Sequence, residues 1–207
     1  MKYELQNILS GKSKIKYGDA IQTIINFLRR SQEAGGMAEK KQQNKKQEEE
    51  KLIAWIEDNN FWCSEIDFTK FVSEGAEQKV YLNSDEDVIK LNDSIYYEFW
   101  LDYFYNLLLN NYFFPDTAYE LLGFCFKDDV LYAVVKQKYV KATEHTNLEN
   151  VKSFMLNNGF KLIRNNDYIN EDLGIILEDL HDENVLTSNG ILAFIDTVFY
   201  INENFWI

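Results

Sequence analysis

The chain is predicted to be α+β, with a helical extension over residues 1–64, an antiparallel five-stranded sheet carrying one helix over 65–137, and a smaller mixed unit over 138–207. Three observations predict this. Apolar residues before residue 60 recur with the period of a helix. From Phe68 onward they fall into short runs that alternate with polar residues, the period of half-buried strands. Those runs are punctuated by Asp-, Asn- and Gly-rich turns, Lys127-Asp128-Asp129, Asn165-Asn166 and Ser188-Asn189-Gly190, of the kind that close hairpins.

In order along the chain, Ile21, Ile24, Ile25 and Leu28 form one stripe of a helix over Asp19–Arg30. Gly35-Gly36 is expected to end it. A mostly polar helix is expected over Ala38–Ile56, its apolar residues gathered at its end. SGKS at 10–13 matches the end of a phosphate-binding P-loop, but the preceding GxxxxG and an apolar strand are missing, so it is set aside. Strands are expected at 68–73, 79–83 and 87–91, a helix at 94–110, and strands at 118–126 and 130–137. A helix at 147–157, stopped by Gly159, leads to a hairpin within 160–177. VLTSNGILAFID then reads as two short strands joined by a tight turn.

Charge narrows the function classes. The net charge is -13, and it is unevenly spread: residues 1–70 hold 12 basic and 11 acidic side chains, while 71–207 hold 9 and 23, or -14. A surface of that sign disfavours general nucleic-acid binding, which needs Lys and Arg to neutralise phosphates. It also means that a phosphate-rich ligand would arrive with metal ions. Two cysteines, Cys63 and Cys125, outside any CxxC pair, give no thiolate zinc site or disulfide framework. There is no signal-like apolar core at the N-terminus and no apolar run long enough for a membrane span. A cytoplasmic location and no membrane partner are therefore expected.

The chemistry is concentrated in LEDLHDENVLTSNGILAFID, residues 177–196. Asp179 and Asn184 stand five residues apart in a loop, and Asp196 ends an apolar strand twelve residues later. Phosphoryl transfer needs one group to orient the attacking hydroxyl and others to hold Mg²⁺ against phosphates. Two carboxylates and an amide converging from a loop and a strand end meet that need. Upstream, Lys90 sits in the apolar strand VIKL. Ile89 and Leu91 on one face send it to the other, where a buried ammonium needs an anion.

These segments resemble the catalytic loop and metal-binding strand of protein-kinase-like enzymes, D-L-x-x-x-N followed by I-D. The DLHxxNxL form is similar to aminoglycoside and choline kinases. With GAEQKVYL, NNYFFPDTAYELLGF, YAVVKQ and FIDT, it is still more similar to the Ser/Thr/Tyr kinase domain found in polyvalent proteins of bacterial mobile elements and phages. The resemblance covers roughly 68–200. It implies a minimal protein-kinase-like fold: an N-lobe with five strands and one helix, and a strongly reduced C-lobe. It also implies ATP and Mg²⁺ as cofactors and a protein substrate or partner.

Residue by residue, the resemblance implies that Asp179 faces the acceptor hydroxyl, that Asn184 and Asp196 ligate metal, and that Lys90 contacts phosphates. Glu98, with Asp102 in reserve on the same helical face, would pair with that lysine. Gly75 would lie in the phosphate-covering loop, and Gln137-Lys138-Tyr139 would form the adenine-binding hinge. His181 would touch the γ-phosphate or brace the loop. Leu177-Glu178 replace the usual His-Arg, which removes the common means of sensing a phosphorylated activation segment. Thr197 replaces the usual Phe, and only eleven residues follow Asp196. Residues 17–58 are therefore expected to pack against 147–200 in place of missing mass. The function expected is γ-phosphate transfer to a protein hydroxyl. The alternatives are a nucleotide-binding interaction module, a small-molecule acceptor, or AMP transfer.

Overall fold

A computed structural model describes residues 1–34, 45–75 and 78–207, and side chains in all of these except 32–34. The Gly35-Gly36 break and the first part of the helix expected from Ala38 lie outside the described residues. Helices α1 (Lys2–Leu9), α2 (Gly18–Ala34) and α3 (Lys45–Asp58) come first. The SGKS segment follows α1 directly, Ser10 being its C-cap and Gly11 a left-handed residue at φ 74°, so it is a helix stop.

The remaining elements are β1 (Phe71–Glu74), β2 (Gln78–Leu82), β3 (Asp87–Asn92), α4 (Trp100–Phe113), β4 (Glu120–Lys127), β5 (Val130–Lys138) and α5 (Leu148–Asn157), followed by six short strands. These are β6 (Lys161–Arg164), β7 (Asp167–Asn170), β8 (Ile175–Glu178), β9 (Val185–Ser188), β10 (Ile191–Phe194) and β11 (Val198–Ile201). The first sheet is antiparallel with order β1-β2-β3-β5-β4; a second has order β11-β8-β7-β6, and β9 pairs with β10. Three hairpins turn on consecutive left-handed residues, Asp128-Asp129, Asn165-Asn166 and Asn189-Gly190, which match the right-handed twist of the strands they join.

Helix α4 organises the molecule. Its sequence is apolar on nearly every side, so it must be surrounded. Phe124 of β4 meets Trp100 and Phe104 on one side, α1, α2 and α3 cover others, and β11 a further one. Ile21, Ile24, Ile25 and Leu28 of α2 are at most 1% exposed, and burying each contributes about 1.5–3 kcal/mol. The N-terminal helices thus pack chiefly on α4 and β4, whereas the sequence placed them against 147–200. Their link to the C-terminal part runs through the final turn: Lys2 Nζ and Gln6 Nε2 donate to the carbonyls of Asn204 and Phe205, each at 2.6 Å, and the Arg29 guanidinium lies 5.1 Å from the Trp206 ring. One apolar core runs from Leu5 to Phe205.

The segment after α3 is held on β4 by the pairs Cys63 N–H to Phe124 O (2.7 Å) and Phe124 N–H to Phe61 O (3.1 Å). Gly123, at φ 146°, allows this approach, since a Cβ there would meet Phe61 O at 2.6 Å. Among the described residues no helix is long and apolar enough to cross a membrane.

Candidate active site

Strand β3 lies inside the first sheet between β2 and β5, and its pleat sorts its side chains. Ile89 and Leu91 join a small outer cluster with Tyr81, Tyr132 and Val134. Lys90 pairs in register with Val135, a residue of the main core, and therefore points to the α4 side. It is 4% exposed; its Nζ donates to the carbonyl of Ile195 at 2.7 Å and lies 5.5 Å from the centre of the Tyr119 ring. The expected phosphate lysine therefore reaches the residue next to Asp196.

Asp179 follows β8 directly and is left-handed, φ 68°. Its N–H donates to Asp167 Oδ1 (3.1 Å), and the next N–H, of Leu180, donates to Asn166 O (3.3 Å). The β6–β7 turn thus clamps the loop, and Asp167 is a site residue that sequence reasoning missed. Asn184 Nδ2 donates to both Asp179 O (2.9 Å) and Asp179 Oδ2 (2.8 Å). The carbonyl of Asn184 accepts the N–H groups of Ile195 (2.9 Å) and Asp196 (3.3 Å). Loop and strand end are in this way one unit. His181 Nδ1 accepts the Glu183 N–H at 3.2 Å, which puts the ring proton on Nε2, 3.2 Å from Asp179 Oδ1. The imidazole braces the loop.

A cleft of about 460 Å³ is lined by Gly75, Gln78, Tyr96, Asp167, Asp179, His181, Asn184 and Asp196, among others. Five of the predicted residues, Gly75, Asp179, His181, Asn184 and Asp196, are brought together there, and the Lys90 ammonium bonds the residue before Asp196. Gln78, on β2, was not anticipated. Its buried amide donates to Asp196 Oδ2, linking the first sheet to the strand end. Glu178 beside the cleft has its carboxyl raised by burial and by the nearby charges of Asp167 and Asp179.

The oxygen donors suit Mg²⁺, a hard cation usually held by one or two carboxylates plus phosphates and water. Because Asp179 engages Nδ2 of Asn184, the Asn184 amide oxygen and the Asp196 carboxylate are the atoms that could hold such an ion. Among the described residues, no group of three or more His, Cys, Asp or Glu side chains could hold a metal alone.

One expectation is revised. The helix expected from residue 94 begins at Trp100, so Glu98 is exposed in the turns before it and does not share a helical face with Asp102. Asp102 instead caps its own helix by accepting the Phe99 N–H at 3.1 Å. Asn92 Oδ1 and Asp93 Oδ1 accept the N–H groups of Ser94 and Ile95, turns that hold the chain out of the helix; Asn92-Asp93-Ser94 was the signal available. The three residues expected at the hinge lie at the end of β5 and directly after it. Gln137 and Lys138 still pair with Val88 and Asp87 in the sheet, the Gln137 side chain donates to Thr117 O (2.8 Å), and the Tyr139 N–H is used by Glu86 O (2.6 Å). These three residues line a different pocket, beside Asp85, Glu86 and Asp87.

A family model described as serine/threonine/tyrosine kinase found in polyvalent proteins matches residues 45–203. No curated protein and no solved structure matches the chain.

Proposed function

The chain belongs to this family of serine/threonine/tyrosine kinases found in polyvalent proteins, and on that premise we propose that it is an ATP-dependent phosphotransferase whose acceptor is a protein hydroxyl. The observation that carries the proposal is the closed set of bonds joining Asp179, Asn184 and the backbone of Asp196 along one wall of a cleft, with the Lys90 ammonium bonded to the residue before Asp196. Bound Mg²⁺, held by Asn184 Oδ1 and Asp196, would supply charge neutralisation for the β- and γ-phosphates. Asp179 is exposed on the cleft side of its loop, where it orients the acceptor hydroxyl and takes its proton. The new oxygen–phosphorus bond forms as the bond to the β,γ-bridging oxygen breaks, and ADP leaves. His181 and Asp167 keep Asp179 in place. The Lys90 ammonium, beside Ile195 O, would balance phosphate charge.

The test uses ATP labelled at the γ- or α-position with Mg²⁺. Label from γ alone on a protein acceptor is expected, and label from α would instead mean AMP transfer. Asp179→Ala should reduce transfer at least about a thousandfold while nucleotide-induced thermal stabilisation persists. Neither stabilisation nor transfer by the wild type would end the reading. A nucleotide-binding module without transfer is the second reading, favoured by the exposed position of Glu98; stabilisation by ATP with no transfer to any acceptor would select it.

A further inference from the structure

The stretch that carries Asp196 is held on both sides by side chains that reach it from α4 and from the segment following α4. Thr117 Oγ1 donates to Phe194 O at 2.6 Å, and Tyr119 Oη donates to Ile195 O at 2.9 Å, beside the Lys90 contact. Beyond Asp196, Thr197 Oγ1 donates to Asn110 Oδ1 at 2.9 Å, and Asn106 Oδ1 accepts the Phe199 N–H, also at 2.9 Å. Asn106 and Asn110 are one turn apart on α4, and are 4% and 0% exposed.

A buried amide in an otherwise apolar helix costs free energy unless it is bonded, and a leucine would pack at least as well. What leucine could not do is meet the polar groups of 197–199. β11 pairs with β8 on one side only, so the N–H of Phe199 needs a partner on the other, and Asn106 is that partner. Asn110 adds a side-chain bond to the residue directly after Asp196. Its Nδ2 also donates to Thr117 O at 3.4 Å, which ties the helix to the turn that holds Phe194.

We propose that Asn106 and Asn110 are positioning residues for Asp196: they set the strand end against α4, so that its carboxylate is in place before metal and nucleotide arrive. This rests on the phosphoryl-transfer reading of the cleft. Groups bonded directly to a metal ligand typically matter about 10–100-fold in metal affinity; Asn106 and Asn110 act on the residues just beyond Asp196, so the lower end of that range is expected. α4 then becomes the element through which the N-terminal helices reach the metal-holding residue.

Thr197→Val, close to isosteric, removes the hydroxyl bond to Asn110, and Thr197→Ser keeps it. Asn106→Ala removes the other bond. The measurement is the Mg²⁺ concentration needed for half-maximal ATP-induced thermal stabilisation, together with ATP affinity in EDTA and amide hydrogen exchange of residues 195–199 in the ligand-free protein. Thr197→Val and Asn106→Ala are expected to raise the Mg²⁺ midpoint about tenfold and to speed exchange at 195–199. ATP affinity in EDTA should stay at the wild-type value, and Thr197→Ser should behave as wild type. Should Asn106→Ala fail to fold, Thr197→Val decides. A lowered melting temperature with an unchanged Mg²⁺ midpoint would assign these asparagines to stability alone and overturn the inference. A wild type that shows no Mg²⁺-dependent nucleotide binding would fail at the earlier step, and both readings would fall together.

Discussion

Asp179 combines the role proposed for it toward an acceptor hydroxyl with a strained backbone. A left-handed conformation costs a non-glycine residue roughly 1–2 kcal/mol, and Asp179 holds it at φ 68°. The bonds from its N–H to Asp167 and from Asn184 to its carbonyl and carboxylate offset that cost. Asp179→Gly and Asp179→Ala should therefore both lose transfer but differ in stability. Glycine is expected to be the more stable by about 1 kcal/mol in urea denaturation, because it has no Cβ to strain; equal stabilities would mean that the conformation carries no cost. At this scale the sequence was partly legible. The spacing of Asp179, Asn184 and Asp196 marked the loop, and alternation in VIKL sent Lys90 to the correct face. Gln78, Asp167, Asn106 and Asn110 were not legible, because each acts on a partner distant in sequence that no local pattern names.

Among the elements, α3 and α4 show how a boundary is set from outside. The N-terminus of α4 is capped from α3: Glu48 Oε2 accepts the Trp100 N–H at 2.6 Å, and Glu49 Oε2 accepts the Trp100 indole N–H at 3.0 Å. Lys45 donates to the carbonyls of Ser94 and Tyr97 in the turns before it. A carboxylate at a helix N-terminus is favourable, yet Glu48 is fully buried, and burial pushes its carboxyl up to about 7 from 4.5. The charges of Lys45 and Asp102 act on it in opposite directions, and the Tyr105 hydroxyl is nearby. The folded state thus binds this proton more tightly than the unfolded chain. The group's contribution is most favourable below about pH 4.5 and declines by roughly 3 kcal/mol as the pH rises to about 7, then levels off. Chemical denaturation of wild type and Glu48→Gln at about pH 5 and pH 8 checks this: the decline should be present in the wild type and largely absent in the variant. Parallel pH profiles would remove Glu48 as its source.

For the molecule as a whole, the apolar core is continuous from α1 to the C-terminal turn. Leu5, Leu9, Ile21, Ile24, Ile25 and Leu28 are all at most 1% exposed. At about 1.5–3 kcal/mol each, their burial amounts to roughly 10 kcal/mol or more, comparable with the whole net stability of a domain. A chain beginning at Lys45, where the family match starts, should expose the α4 and β4 surfaces that α1 and α2 cover. It is expected to aggregate or to lose cooperative unfolding, as judged by gel filtration and circular dichroism. A soluble monomer with the full-length melting temperature would show that α1 and α2 are dispensable.

The sequence by itself determined the α+β class, the order of the five strands and helix of the first sheet, the three tight hairpins, and the loop and strand end that carry Asp179, Asn184 and Asp196. Those follow from periodicity, turn chemistry and short spacings, which act within a few residues. Tertiary structure alone decided where α4 begins, which surface the N-terminal helices cover, how far β5 runs, and what holds Asp196. Each of those depends on bonds between groups roughly 50 to 200 residues apart, such as Glu48 to Trp100, Gln6 to Phe205 and Asn106 to Phe199. Such pairings exist only once the core has brought the elements together, because a buried polar group selects its partner from whatever packing places beside it.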